Sequence, residues 1–213
     1  MAPVWSIVVA GGSGQRFGQL KQFALLDGRP VVERAVLACR PSSTGVVLVV
    51  PAETTDDYGA DVMVEGGATR SESVRRGLSA VPPEADVILV HDAARPLASP
   101  ALFRSVLEAL LDGGADAVIP GLAVSDTIKQ VDQNQHVTAT LDRNELVIVQ
   151  TPQGFSADVL RRAHDGCADA TDDAALVEAL GTPVRVVPGE PGNLKITTPA
   201  DLRLAEHLLR DGA

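Results

Sequence analysis

The sequence predicts an α/β fold built on a mainly parallel sheet. Short apolar runs rich in β-branched residues recur along the chain, and segments with helical periodicity separate them. The runs are continuous rather than alternating, as expected for strands that are covered on both faces. Alternating β and α units imply parallel strands joined by right-handed crossovers.

The predicted core strands and two helix starts follow in chain order. The strands are Val4–Val9, Val46–Val50, Val87–Val90, Ala117–Ile119, Val147–Val149 and Val184–Val187. Ser99 followed by Pro100 predicts the start of a helix that Gly113 ends. Thr198 with Asp201 three residues later predicts a capping box at the start of the last helix.

Residues 121–146 break this alternation. They are polar and strand-like, with a turn signal at 132–135 between Thr127–Val131 and Val137–Ala139. This pattern predicts a β-hairpin arm inserted at about residues 121–146 of a single domain that spans residues 1–213. An isolated hairpin is marginally stable in water, so we expect the arm to rest on another surface, such as a second subunit.

Composition narrows the class of function. The 213 residues are 45% hydrophobic and carry a net charge of −10, which argues against general nucleic-acid binding. No apolar run approaches the roughly 20 residues of a membrane helix, and the N-terminal residues do not resemble a signal peptide. Cys39 and Cys167 are far apart and fit no metal site. We expect a soluble cytoplasmic protein that binds neither nucleic acid nor membrane.

A glycine-rich turn follows the first strand, with glycines at positions 11, 12, 14 and 18. Such a turn lets main-chain N–H groups approach phosphate oxygens. Arg16 and Lys21 lie beside it, and only three of the 18 basic residues are lysines: Lys21, Lys129 and Lys195. Cations at this place would stabilise the charge that develops when a triphosphate is attacked at its α-phosphorus.

Three other readings of this turn compete. A dinucleotide-binding turn requires an acid about 20 residues on at a strand end, but Glu33 falls in a predicted helix. A phosphate-binding P-loop requires Gly-Lys-Ser/Thr, which is absent around Lys21. An ordinary strand-to-helix turn explains the glycines but leaves Arg16 unexplained.

Motifs along nearly the whole chain narrow the choice. They are the glycine loop with Arg16, Lys21-Gln22-Phe23, Arg70-Ser71-Glu72-Ser73-Val74, His91-Asp92-Ala93-Ala94-Arg95-Pro96, Asp126-Thr127-Ile128-Lys129, Asp142-Arg143-Asn144, Thr151-Pro152-Gln153-Gly154-Phe155, Thr171-Asp172-Asp173-Ala174 and Lys195-Ile196-Thr197. Together they resemble the 2-C-methyl-D-erythritol 4-phosphate cytidylyltransferase family. The resemblance implies a Rossmann-like nucleotidyltransferase domain of the GT-A type. It also implies CTP and a small sugar-alcohol phosphate as substrates, Mg²⁺ as cofactor, and a homodimer joined through the arm.

The same resemblance implies the site residues. The residues that it places at the nucleotide are Ala10, Gly11, Gly12, Gly14, Gly67, Ser73, Asp92 and Ala93. The catalytic residues that it implies are Arg16, Lys21, Arg143 and Lys195. The residues that it places at the acceptor are Arg95, Thr127, Arg143, Thr151 and Lys195. By themselves, Arg70 and Arg95 are either electrostatic supports of the site or ordinary surface cations. Asp92 is also the residue that the resemblance puts near the metal, mostly through the CTP phosphates.

Some features leave the acceptor open. The family loop usually begins Pro-Ala-Ala-Gly, whereas Val9-Ala10-Gly11-Gly12 is common in sister enzymes that act on ribitol 5-phosphate. Ala94 within His-Asp-Ala-Ala-Arg favours the erythritol branch. A catalytically silent nucleotide-binding regulator is the alternative of another class. We interpret His91 as a packed, hydrogen-bonded side chain rather than a base, and Lys129 has no assigned role.

Overall fold

The structure is a computed structural model, which describes residues 2–11, 22–166 and 168–210 in full and residue 21 by its main chain. Its strands are β1 (Val4–Val9), β2 (Leu25–Leu26), β3 (Arg29–Pro30), β4 (Gly45–Val50), β5 (Val62–Glu65), β6 (Val87–Asp92), β7 (Ala117–Ala123), β8 (Lys129–Val131), β9 (Val137–Thr140), β10 (Val147–Val149), β11 (Gln153–Ser156) and β12 (Arg185–Pro188). Its α-helices are α1 (Val31–Cys39), α2 (Arg70–Ala80), α3 (Pro100–Leu111), α4 (Ala157–Asp165), α5 (Asp173–Ala179) and α6 (Pro199–Arg210). Short 3-10 helices cover Lys21–Phe23, Arg40–Ser42 and Arg143–Glu145.

One eight-stranded sheet organises the described part of the chain. Its strand order is β10-β7-β11-β6-β1-β4-β5, and β12 pairs with β7. β1 is parallel to β4 and β6, β4 is parallel to β5, and β12 is parallel to β7. β11 runs antiparallel between β6 and β7, and β10 pairs antiparallel with the far end of β7. The predicted α/β fold with a mainly parallel sheet is confirmed.

Helices cover both faces of the central strands, which explains their continuous apolar sequence. In β1 and β4, Ile7 and Val49 are fully buried in the cluster that contains α2, α4 and α5. Their neighbours Val8 and Leu48 are fully buried in the opposite cluster, with α1 and α3. Consecutive residues of a strand point to opposite faces, so each residue of these runs reaches one of the two cores.

Three strands of the eight-stranded sheet differ from the sequence prediction. β5 and β11 were not predicted, because β5 alternates between half-buried and exposed residues and β11 is a short run containing Gln153 and Gly154. β10 was predicted as a covered strand, but Val147 and Ile148 are exposed. It pairs only at the end of β7, beyond the helices that cover the sheet centre.

The predicted helix starts are confirmed. Oγ of Ser99 accepts a hydrogen bond from the N–H of Leu102 at 3.1 Å, and Pro100 opens α3. At α6, Thr198 N–H donates to the Asp201 carboxylate at 2.7 Å, and Asp201 N–H donates to Oγ1 of Thr198 at 3.3 Å. This reciprocal pair is the capping box. Within the described residues, no helix is long and apolar enough to cross a membrane.

The inserted hairpin is present as a separate two-stranded sheet of β8 and β9. Nζ of Lys129 donates across it to Oγ1 of Thr140 at 2.6 Å, which indicates a role for Lys129 in holding the hairpin. The arm begins later than predicted, because β7 continues in the central sheet to Ala123. Most side chains of the hairpin are exposed in this chain.

Gly77 allows α2 to pack closely on the sheet. An added Cβ there would lie 2.7 Å from Cγ2 of Ile7 and 3.0 Å from Cγ2 of Val49. Such overpacking costs about 1–3 kcal/mol, more than the gain of about 1 kcal/mol from alanine in a helix. We expect Gly77→Ala to lower the free energy of unfolding in urea denaturation. Ser79→Ala, on the exposed side of the same helix, controls for helix propensity. A Gly77→Ala variant as stable as wild type would contradict this packing.

Candidate active site

A cavity of about 630 Å³ lies where β1, β5 and β6 end. Open α/β sheets bind ligands at this carboxyl edge. The residues predicted at the nucleotide that line the cavity are Ala10, Gly11, Gly67, Ser73, Asp92 and Ala93, and Lys195 lines it as well. The fold therefore brings together residues from four widely separated parts of the sequence.

Four of the predicted site residues lie wholly or partly outside the described part of the chain. Gly12, Gly14 and Arg16 belong to residues 12–20, which the structure does not describe, and the side chain of Lys21 is also outside the described part. Their assignment remains a prediction from the sequence.

The end of β1 is anchored on both sides. Ala10 N–H donates to the carbonyl of Val49 at 2.7 Å, and Ala93 N–H donates to the carbonyl of Val9 at 3.1 Å. The nearly buried Gln22 donates from Nε2 to the carbonyl of Ala10 at 2.8 Å. Gln22 was not predicted as a site residue, since an amide next to Lys21 carries no distinctive signal in the sequence.

Ser73 joins the turn around Gly67, which follows β5, to the start of α2. Its hydroxyl donates to the carbonyl of Thr69 at 2.9 Å and accepts from the N–H of Gly67 at 3.0 Å. A Cβ at Gly11 would lie 3.2 Å from Oγ of Ser73, so this hydroxyl occupies the contact between the two loops. Because its proton is used inside the fold, Ser73 offers a ligand an acceptor lone pair rather than a donor.

Asp92 is the centre of charge in the cavity. Its carboxylate lies 2.6 Å from Nζ of Lys195 and 3.5 Å from a guanidinium nitrogen of Arg70. Burial alone would raise the pKa of Asp92, but Lys195 and Arg70 outweigh it and hold this pKa well below its ordinary range. Asp92 is therefore an anion at neutral pH, held between two cations.

Arg70 is itself anchored from behind. Its guanidinium lies 2.8 Å from the carboxylate of Asp173, which is fully buried and bonded to Nε2 of His164 at 3.0 Å. Sequence reasoning left Arg70 as a supporting or surface cation. The buried pair with Asp173 could not be read from positions 103 residues apart.

A second cavity of about 290 Å³ adjoins the first and shares Arg70, Asp92 and Lys195 with it. Arg95 and Thr151 also line this cavity, as their assignment to the acceptor would require. Their polar groups are largely used within the fold. Arg95 donates to the carbonyls of Asn193 at 2.7 Å and Val149 at 3.1 Å.

The geometry adds structural roles for Arg95 and Thr151, and their contact with the acceptor stays a prediction. Arg95 holds the segment before Lys195. Oγ1 of Thr151 accepts from the N–H of Asp92 at 3.0 Å and lies 3.0 Å from Nδ1 of His91. His91 is fully buried and hydrogen-bonded, so its interpretation as a packed side chain is confirmed.

Thr127 and Arg143 lie apart from both cavities. Within the described residues, neither lines either one, and both are exposed. Arg143 donates to the carbonyl of Ser125 at 2.5 Å, which holds it against the base of the arm. In a single chain these two residues do not join the site formed by Asp92 and Lys195.

The described side chains contain no group of three or more histidine, cysteine, aspartate or glutamate residues that could hold a metal ion. Among the described residues that line the larger cavity, Asp92 is the one carboxylate. One carboxylate suits Mg²⁺ better than a metal ion that is held entirely by protein ligands, because Mg²⁺ is commonly held by one or two carboxylates together with substrate phosphates.

A family model described as 2-C-methyl-D-erythritol 4-phosphate cytidylyltransferase matches residues 4–211, which include the cavity and the arm. The chain belongs to this family. The 2-C-methyl-D-erythritol 4-phosphate cytidylyltransferases are nucleotidyltransferase enzymes, and the resemblance drawn from the motifs is confirmed.

Curated relatives agree over nearly their full length. The chain is 48% identical to 2-C-methyl-D-erythritol 4-phosphate cytidylyltransferase of Rhodococcus jostii, over 99% of this chain and 97% of the relative. It is 47% identical to the enzyme of the same name from Nocardia farcinica, over 97% and 94% of the two chains.

Solved structures of the cytidylyltransferase family share the fold. The crystal structure of 2-C-methyl-D-erythritol 4-phosphate cytidylyltransferase from Thermus thermophilus has a TM-score of 0.82 and 38% identity, covering 96% of this chain and 98% of that one. The 4-diphosphocytidyl-2C-methyl-D-erythritol synthase of Anaerococcus prevotii has a TM-score of 0.84 and 30% identity, covering 98% and 99%.

Proposed function

We propose that the chain transfers a cytidylyl group from CTP to 2-C-methyl-D-erythritol 4-phosphate and releases pyrophosphate, a step of the non-mevalonate route to isoprenoid precursors. The observation that carries the proposal is the cavity in which Asp92 and Lys195 meet Gly11, Gly67 and Ser73. It combines main-chain donors, a hydroxyl acceptor and cations in one place. Those are the groups that a nucleoside triphosphate requires.

Nucleotide binding would use the turn around Gly67 and the hydroxyl of Ser73. Cytosine offers an amino donor and a carbonyl acceptor. Oγ of Ser73 has an acceptor lone pair left for an amino group, whereas its proton is donated to Thr69. This polarity favours a base with an amino group over one with a carbonyl at the same position.

The transfer requires no general base. An anionic oxygen of the acceptor phosphate forms a bond to the α-phosphorus of CTP, and the bond from that phosphorus to the bridging oxygen of pyrophosphate breaks. No proton needs to be removed from the nucleophile, so positioning and charge neutralisation can carry the reaction. Arg16 and Lys21 would act on the triphosphate, and Lys195 would act between acceptor and nucleotide.

We propose that Mg²⁺ is the cofactor. The CTP phosphates would hold most of the ion, and Asp92 would be its protein ligand. Bound there, the ion would neutralise phosphate charge. The carboxylate is already an anion at neutral pH because Lys195 and Arg70 lower its pKa. Both cations would remain beside the triphosphate when Asp92 turns to the metal.

Asp92→Asn should weaken CTP binding in the presence of Mg²⁺. The same change leaves Lys195 and Arg70 without their anion, so metal-free CTP should bind at least as well as it does to wild type. CTP titrations with Mg²⁺ and with EDTA measure both effects. Asp158→Asn, in an exposed pair with Arg162, controls for the change in net charge. Equal Mg²⁺ dependence in Asp92→Asn and wild type would refute this role.

We further propose a homodimer in which the arm at about residues 121–146 embraces a second copy and carries Thr127 and Arg143 into its site. Exposed apolar side chains support this proposal. On the arm and its base they are Val131, Val137, Leu141, Val147 and Ile148. An unpartnered patch of this kind is typical of a protein–protein interface. The proposed enzyme is one domain, working in the cytoplasm where its CTP is available.

The decisive assay is pyrophosphate release from CTP with 2-C-methyl-D-erythritol 4-phosphate and ribitol 5-phosphate offered side by side. We expect a much larger kcat/KM with the erythritol compound. Preference for ribitol 5-phosphate would instead favour the sister enzymes that act on that compound, in which the Ala10-Gly11-Gly12 form of the loop is common. CTP binding without pyrophosphate release from either acceptor would identify a silent regulator and overturn the proposed reaction.

A further inference from the structure

His91 is buried beside the charged centre of the site and has no part in the proposed chemistry. Its side chain is fully buried, and its ring lies 5.3 Å from that of Phe103. Both ring nitrogens have partners. Nε2 lies 3.0 Å from the carbonyl oxygen of Arg95, and Nδ1 lies 3.0 Å from Oγ1 of Thr151.

The partners determine which nitrogen carries the proton. The carbonyl of Arg95 can only accept, so Nε2 of His91 donates to it. The ring is fully buried, and both of its nitrogens face uncharged partners, so these surroundings favour the neutral imidazole. Nδ1 is then an acceptor, and the hydroxyl of Thr151 must donate to it.

The hydroxyl of Thr151 is thereby turned so that its oxygen faces the main chain of Asp92. Oγ1 accepts from the Asp92 N–H at 3.0 Å. The antiparallel pairing of β11 with β6, which places Gln153 opposite Val90, continues to bring Thr151 opposite Asp92. Three hydrogen bonds thus run in one direction, from the N–H of Asp92 through Thr151 and His91 to the carbonyl of Arg95.

We propose that His91 is a positioning residue, which acts through Thr151 to hold Asp92 where its carboxylate can meet magnesium-bound CTP. The inference rests on the proposed function of Asp92. Asp92 is the last residue of β6, and its N–H is bonded to a side chain rather than to a neighbouring strand. Without that bond the end of β6 loses a constraint close to the contact of Asp92 with Lys195.

Two amide variants separate positioning from packing. In His91→Asn the side-chain carbonyl can take the place of Nδ1 and still accept from Thr151, whereas in His91→Gln the amide reaches the place of Nε2 and serves Arg95 instead. Glutamine fills more of the space left by the ring. Packing alone therefore ranks His91→Gln above His91→Asn, and the proposed positioning ranks them in the opposite order.

The experiment measures CTP affinity with Mg²⁺ and with EDTA, together with kcat and thermal unfolding, for both variants. We expect His91→Gln to lose about 10–100-fold of the Mg²⁺ enhancement of CTP affinity, and His91→Asn to lose clearly less. Thr151→Val should match His91→Gln, and the double variant should lose no more than either single one. The reverse order, or additive losses, would overturn the proposal.

His164 supplies a matched control. It is similarly buried, but its Nε2 contacts Asp173 at 3.0 Å and its Nδ1 has no partner within the described residues. Here His164→Gln keeps the contact and His164→Asn loses it, so thermal stability should favour glutamine. If both histidines favour the same amide, side-chain size rather than bond direction sets the ranking, and the inference at His91 is wrong.

A spectroscopic measurement tests the inference independently of turnover. Nitrogen-15 NMR of the His91 ring should show a neutral imidazole with its proton on Nε2 at neutral pH. A charged ring or a proton on Nδ1 would overturn the inference. If wild type releases no pyrophosphate, the proposed reaction fails, yet the NMR spectrum and the CTP titrations still decide the hydrogen-bond chain.

Discussion

Lys21→Ala and Arg16→Ala are each expected to lower kcat about 10²–10³-fold with a comparatively small change in CTP affinity. Both residues lie beside the glycine loop that follows β1. As the acceptor attacks, negative charge grows on the equatorial oxygens of the α-phosphorus and on departing pyrophosphate. Cations placed there stabilise the transition state more than the ground state. Steady-state pyrophosphate release gives kcat, and CTP titration gives affinity.

Arg162→Ala is a suitable control for the loss of one positive charge. Arg162 is exposed in α4 and forms an exposed pair with Asp158 at 3.4 Å, on a helix that lines neither cavity. It should keep the wild-type kcat. Near-normal turnover in Lys21→Ala or Arg16→Ala would show that the assigned role is wrong. A large loss of CTP affinity with little change in kcat would assign these cations to ground-state binding instead.

The central sheet could be predicted because its strands carry an unusual signal. Both faces of β1 and β4 are covered, with Ile7 and Val49 in one core and Val8 and Leu48 in the other, so nearly every position is apolar. Strands without two covered faces lose that signal. β5 alternates at the sheet edge, and β10 is apolar but exposed, which is indistinguishable in sequence from a covered strand.

The nucleotide side of the site could be predicted from motif and position together. Asp92 comes at the end of the strand predicted from Val87, so it is expected at the carboxyl edge of the sheet, where it lies. Gly67 follows β5, which was not predicted, so only the family resemblance placed it at the nucleotide. The direction of each hydrogen bond could not be predicted. Whether Thr151 and Arg95 face a ligand or the fold depends on the register of β11 against β6 and on the carbonyls of Val149 and Asn193.

Support from distant residues was also beyond sequence reasoning. Arg70 meets Asp173 across 103 positions, and the sequence holds many other acids that could have paired with it. Only the packing of α5 beside α4 decides which carboxylate is buried. Charged residues can thus be identified in the sequence, whereas their partners are a property of the folded chain.

Mixing Arg143→Ala with Lys21→Ala is expected to restore activity that neither variant has alone. If the arm of one subunit completes the site of the other, a mixed dimer holds one site with both residues intact and one with neither. Random exchange of equal amounts should therefore give about one quarter of the wild-type rate per subunit, because half of the dimers are mixed. The measurement is pyrophosphate release after the subunits have exchanged.

Two controls make this result specific. Self-mixing of each variant should remain inactive, and a double variant Lys21→Ala/Arg143→Ala mixed with either single variant should give no rescue. Light scattering at the assay concentration reports whether dimers are present, and differently tagged subunits show whether mixed dimers have formed. A monomer at working concentration, or no rescue in verified mixed dimers, would contradict shared sites.

The geometry of the single chain makes rescue the expected outcome. Arg143 is exposed, held against the carbonyl of Ser125, and lines neither cavity, so a purely intramolecular role would require the arm to move. The exposed apolar side chains of the arm and of β10 favour a fixed position against another surface. If that surface is a second copy, two-fold symmetry delivers the same arm to both sites, and loss of the dimer should abolish activity in both at once.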